Sequence, residues 1–130
     1  MDSYDKGLAL RKKVLGDAHV ERSLKAAQDN DFTRDLQQIV TSFAWGDIWG
    51  RPGLTLRERS LLNLAMLTAL NRPHELHTHV RGALNNGVTV AEIREVFLHT
   101  AVYCGFPAAI DAFRTASEVL AEAKATGGDD

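Results

Sequence analysis

Residues 71–104, NRPHELHTHVRGALNNGVTVAEIREVFLHTAVYC, decide how this chain is read. Leu76, Val80, Ala83 and Leu84 recur at spacings of three and four, the period of an α-helix that buries one stripe. Pro73 suits the first turn of that helix, and Gly87, after Asn86, suits its left-handed stop. Thr89 and Glu92 then stand at the spacing of a capping box, which opens a second helix over 90–104.

The same period extends outward in both directions, and no alternating stretch bounded by turn residues breaks it, so the fold class is all-α. Two short amphipathic helices are predicted over 3–16 and 17–29, with Asp17 as the N-cap of the second. In 31–48, Phe32, Leu36, Ile39, Val40 and Phe43 share a stripe, which gives a third helix ending near Gly46 or Gly50. Thr55 and Glu58 repeat the capping-box spacing ahead of LLNLAMLTAL, apolar on nearly every side, and predict a central buried helix over 56–70. Gly105-Phe106-Pro107 breaks the chain before a last helix, 107–124, that packs through small alanines. One compact multi-helix domain is expected over 1–124, with a disordered tail at 125–130.

A formal charge of −2 and a pI near 6.2 supply no basic field, which argues against nucleic acid or an anionic membrane as partner. The lone Cys104 can form no internal disulfide and reads as a small packed thiol in a reducing compartment. The charged N-terminal stretch carries no long apolar run, so neither a signal peptide nor a membrane span is expected, and the location reads as cytoplasmic.

Three of the chain's five histidines and Glu75 fall within 74–79. Polar titratable groups beside an apolar face are costly unless paired or used, which makes this cluster the place to look for chemistry. Glu75 and His79 stand four apart and can touch, either as acid and base or as a plain helical ion pair. Gly82, in the same row, has no capping role and points to close approach of another helix or a ligand. His74 and His77 form a second pair, yet the HExxH spacing is absent and no cysteine or aspartate joins them, so no metal site is assigned.

At the start of the 56–70 helix, Arg57 and Arg59 occupy a first turn where the macrodipole disfavours cations. With Arg51 of the preceding GRPG loop they would make a receptor for carboxylates, unless they pair with acids elsewhere. Glu58 is either the capping glutamate of that helix or a group facing a site at its N-terminus. His19 and His99, and the aromatics Trp45, Trp49, Tyr103 and Phe106, read as solvated, core or interface residues.

The strings FAWGDIWGRPGLTLRERSLLNLAMLTAL and HELHTHVRGALNNGVTVAEIREVFLHTAVYCGFPAAIDAF resemble the carboxymuconolactone decarboxylase family over about residues 30–122, with HVRGALNNGVTVAEIREV the most specific run. That resemblance implies a compact all-α fold, a cofactor-free enzyme and a homo-oligomer, commonly a hexamer, with active sites near subunit contacts. The implied reaction removes carbon dioxide from a γ-lactone carboxylate to give the β-ketoadipate enol-lactone in aromatic catabolism. Alkylhydroperoxidase D shares the fold, but its two reactive cysteines would fall at Arg72 and Glu75, so thiol chemistry is not expected. Its proton-relay glutamate and histidine match Glu58 and His79, which the resemblance therefore raises to site residues, with His74 carried over beside them. Glu75 stays a candidate proton carrier, and Arg51 and Arg59 are candidates for substrate binding. A related helical enzyme for another lactone or carboxylate, and a non-catalytic helical oligomerisation or binding module, are the competing readings.

Overall fold

The computed structural model describes residues 2–125, and they form helices joined by short turns. The helices are α1 (Ser3–Leu15), α2 (Asp17–Gln28), α3 (Asp31–Ile39), α4 (Leu56–Ala69), α5 (Pro73–Asn85), α6 (Val90–Cys104) and α7 (Phe106–Ala125). A π-helical segment, Val40–Ile48, continues α3. The expected tail at 125–130 lies outside the described residues except for Ala125, which ends α7. The chain divides into two compact units, one reaching to Leu56 and the other starting at Arg57.

In the first unit, the predicted breaks fall where the caps are. Asp2 opens α1 by accepting a hydrogen bond from the Asp5 amide at 2.8 Å, and Asn30 opens α3 by accepting one from the Phe32 amide at 3.0 Å. Asp17 is not the N-cap of α2; Gly16 holds that place at φ 93°, and Asp17 supplies the acid of the first turn. The single helix expected over 31–48 changes register at Val40, after which amides reach back five residues, as from Trp49 to the Ala44 carbonyl at 2.9 Å. Of the stripe predicted there only Val40 packs against a core; Phe32 is 93 % exposed, and Leu36, Ile39 and Phe43 are exposed too.

The first unit closes instead on α1. Gly7 and Gly46 let the backbones of α1 and the π-helical segment meet directly, since a Cβ at Gly7 would land on the Thr41 carbonyl and one at Gly46 on the Ser3 carbonyl. Val14, Leu15, Val20 and the stacked rings of Trp45 and Trp49, 4.6 Å between centroids, form the core. Arg11 is buried beside it and donates to Gln37 Oε1 at 2.9 Å and Thr41 Oγ1 at 3.1 Å. Burial pulls its guanidinium below the ordinary arginine range, an effect that nearby Tyr4 opposes.

The second unit packs by side chains. Leu64, Leu76, Val80, Ala83, Phe97 and Val119 fill its core, and Phe97 meets Phe113 edge to face at 5.3 Å. Full burial of each large aliphatic or aromatic side chain contributes about 1.5–3 kcal/mol. Two helices end in Schellman motifs. Val88 and Gly87, the latter at φ 87°, donate back to Ala83 and Leu84 after α5, and Arg72 and Asn71, the latter at φ 55°, donate back to Leu67 and Thr68 after α4. The capping box of α6 forms as predicted, with the Glu92 amide donating to Thr89 Oγ1 at 3.1 Å and the Thr89 amide donating to Glu92 Oε1 at 2.9 Å.

Helix α4 is not buried all round. It turns the row Ser60, Leu64 and Thr68 inward and leaves the apolar row Leu62, Met66 and Leu70 exposed. Cys104 is also exposed rather than packed, in a run with Val102, Tyr103 and Phe106. Trp45 and Trp49 belong to the core, while His99 and Tyr103 lie against one another on the surface, 5.0 Å between ring centroids. No helix among the described residues is long and apolar enough to cross a membrane.

Candidate active site

His79 sits half-buried on α5, one turn before Gly82 and two before Asn86. Those spacings put the three residues in one row along the helix. The row faces α4: the Asn63 amide nitrogen lies 3.3 Å from His79 Nδ1, and the Asn86 amide donates to Ser60 Oγ at 2.9 Å. Gly82, between them in that row, is buried. With Nδ1 accepting from Asn63, the neutral imidazole carries its proton on Nε2. Asn63 was not among the residues singled out by sequence. Its signal was a single amide inside the apolar run LLNLAMLTAL, a position that asks for a partner.

The contact expected between Glu75 and His79 does not form. Glu75 is exposed and makes no hydrogen bond or ion pair, because the ring one turn later is turned toward Asn63. His74 is exposed as well and lines a cavity of about 440 Å³ with His77, Thr115 and Glu118. His77 is tied to the surface network of α7: its Nε2 lies 3.2 Å from Glu122 Oε2, while Arg81 donates to Glu122 Oε1 at 2.7 Å. Among the described residues, no group of three or more His, Cys, Asp or Glu side chains is placed to hold a metal ion.

Glu58 is exposed on the first turn of α4, and Arg59 next to it is half-buried. Arg57 leaves the proposed carboxylate receptor, since its guanidinium pairs with Glu92 Oε2 of α6. Glu92 thereby caps its own helix with one oxygen and holds α4 with the other.

In the first unit, Arg51 is exposed in the turn after the π-helical segment and lines a second cavity of about 440 Å³. Lys6 and Lys13 of α1 share it, over a floor that includes Leu10, Trp49 and Leu54. Neither lysine was singled out by sequence, although their spacing of seven places them on one helix face.

The histidine, glutamate and arginine positions therefore sit on identifiable elements, and the sequence that builds those elements matches known proteins. Residues 34–118 match the model of the carboxymuconolactone decarboxylase family. The 4-carboxymuconolactone decarboxylase of Acinetobacter baylyi is 47 % identical over 117 residues, covering 90 % of this chain and 86 % of that one. The nitrosuccinic acid decarboxylase npaB of Metarhizium robertsii is 50 % identical over 109 residues, covering 84 % of this chain and 75 % of that one. A 4-carboxymuconolactone decarboxylase sequence from Pseudomonas putida is 48 % identical over 44 residues, 34 % of this chain and 88 % of that sequence. A match that spans α3 through most of α7, with this level of identity along nearly the whole chain, makes the protein a member of the carboxymuconolactone decarboxylase family.

Proposed function

We propose that this enzyme decarboxylates 4-carboxymuconolactone to the β-ketoadipate enol-lactone, a step in protocatechuate breakdown, with His79 as its central catalytic group. The observation that carries the reading is 47 % identity to the Acinetobacter baylyi enzyme over 90 % of the chain.

The substrate contains its own electron sink. Electrons of the breaking C–CO₂ bond pass through the ring double bond to the lactone carbonyl, giving an oxyfuran-like dienolate. A proton then adds to the carbon next to that carbonyl, and the lactone is restored as the enol-lactone. Neither step calls for a metal or an organic cofactor. What the protein must supply is a hydrogen-bond donor for the developing oxyanion and a positioned proton source, worth roughly 10²–10³-fold and 10²–10⁴-fold respectively.

His79 Nε2–H is the proposed donor to the lactone oxygen, held in that tautomer by Asn63. Glu58 is the proposed carrier of the proton delivered to carbon, being a solvent-facing carboxyl on the first turn of α4. Glu75 and His74, exposed on the first turn of α5, are held as the second choices for that step. Arg51 and Arg59 would hold the carboxylate that stays in the product. Gripping the departing carboxylate instead would stabilise the ground state and slow its loss.

The working form is proposed to be a homo-oligomer, a hexamer by family resemblance. The exposed apolar row of α4 and the exposed segment Val102, Tyr103 and Phe106 are the kind of surface that subunit contacts cover. A cytoplasmic setting agrees with the single thiol, Cys104.

The second reading is a decarboxylase for another dicarboxylic acid, favoured by the 50 % identity to the nitrosuccinic acid decarboxylase. A nitro group is an electron sink of the same kind as the lactone. The test is to follow carbon dioxide release from freshly generated 4-carboxymuconolactone and from nitrosuccinate after treatment with chelator. Release from the lactone at least tenfold faster than from nitrosuccinate is expected; the reverse order selects the second reading.

A further inference from the structure

Two side-chain bridges join α4 to α5 inside the second unit: Asn63 with His79 at 3.3 Å, and Ser60 with Asn86 at 2.9 Å. The first orients the ring assigned to the chemistry. The second is a buried polar contact that stability alone does not explain.

Ser60 is 1 % exposed, on the inward row of α4 with Leu64 and Thr68. A hydroxyl inside a helix commonly satisfies itself on the carbonyl four residues back. Thr68, Thr100 and Ser117 do so, each at 2.7 Å. Ser60 Oγ instead accepts from the Asn86 amide of the neighbouring helix. A neutral hydrogen bond of this kind adds little net stability, because both partners leave water to make it. What it adds is direction. Apolar packing between Leu64, Leu76 and Val80 tolerates small slides of one helix along the other, whereas a satisfied polar pair in the core selects one register.

Register matters here because the Asn63–His79 contact has no slack. Its 3.3 Å lies just beyond the usual hydrogen-bond range of about 2.7–3.2 Å, so a small slide of α5 along α4 breaks it. Ser60 stands three residues before Asn63, and Asn86, the C-cap of α5, stands seven residues after His79. The second bridge therefore lies about 4.5 Å along α4 from Asn63 and about 10.5 Å along α5 from His79, near enough for one to set the other.

We propose that the Ser60–Asn86 bridge sets the register of α5 on α4 in which Asn63 holds the His79 ring, so that Ser60 and Asn86 are positioning residues for the decarboxylation. The proposal rests on the decarboxylase reading for what the ring does, and both residues act through His79 rather than on the reacting atoms.

The main variant is Ser60→Ala, which removes one oxygen and adds nothing. It should lower kcat for the lactone roughly three- to ten-fold with KM within twofold. In an Asn63→Ala background the same change should cost less than a further twofold, since the contact it protects is already gone. Asn86→Ala should lower kcat at least as much as Ser60→Ala, and combining the two should cost less than twofold more. Thr68→Val is the control: it removes a buried hydroxyl from the same row, bonded within its own helix, and should lower Tm while leaving kcat and KM at wild-type values. A readout free of turnover comes from long-range proton–nitrogen NMR of the neutral His79 ring, assigned with His79→Gln. Wild type should show the proton on Nε2, and Ser60→Ala a mixture of tautomers. Wild-type kcat in Ser60→Ala, a loss that multiplies in full with Asn63→Ala, or an equal loss in Thr68→Val overturns the proposal. Carbon dioxide release with the ring signal unmoved by Ser60→Ala overturns it while leaving the decarboxylase reading standing. A ring signal that depends on Ser60, without release from the lactone by wild type, supports the bridge and refutes that reading.

Discussion

The two units are held together in different ways, and the difference separates charge from chemistry. The first unit brings backbones into contact through Gly7 and Gly46, stacks two tryptophans, and buries Arg11 on uncharged partners. Three of its other cations, Lys6, Lys13 and Arg51, line one cavity. The second unit is filled by leucine, valine, alanine and phenylalanine side chains, and its polar groups run in a row between α4 and α5, where His79 meets Asn63. A unit closed by backbone contact cannot accept added atoms; a unit closed by side-chain volume cannot lose them.

That contrast makes an ordered set of predictions. Phe97→Ala, which empties the middle of the second core, should cost about 3–5 kcal/mol and lower Tm by more than about 10 °C in calorimetry. Gly7→Ala removes nothing and adds one carbon, yet it should cost roughly 1–3 kcal/mol in a urea titration, because the Thr41 carbonyl occupies the space. A Gly7→Ala protein as stable as wild type would break the comparison. Asn63→Ala should lower kcat about tenfold with KM within twofold, by releasing the ring orientation of His79; a rise in KM alone would make Asn63 a binding residue. Glu122→Gln, which weakens the surface ties to His77 and Arg81, should cost under about 1 kcal/mol by thermal melting.

The sequence made the helices legible because their ends carry their own chemistry. Thr89 with Glu92, Gly87, and the Gly105-Phe106-Pro107 break each act within one turn of where they stand. The switch to π-helical bonding at Val40 was hidden, since apolar spacing does not distinguish amides that reach back four residues from those that reach back five. Burial of α4 was overestimated for a related reason: periodicity shows that a face is apolar, not whether this chain covers it. In the candidate site, His79 and its row were readable from spacing, whereas Asn63 required knowing which face of α4 meets α5. Lys6 and Lys13 went unremarked because a charged pair on an amphipathic helix is ordinarily a solvated face, and only the structure shows that both line one cavity.

The central claim is that bond breaking depends on His79 and retention of the substrate on Arg51. It is tested most directly by measuring kcat and KM for 4-carboxymuconolactone in His79→Ala and Arg51→Ala, each with an unchanged oligomeric state. The expected result is a kcat reduced about 10²–10³-fold with little change in KM for His79→Ala, and a KM raised at least tenfold with kcat nearly intact for Arg51→Ala. Equal losses of kcat in the two variants, or full turnover without His79, would contradict it.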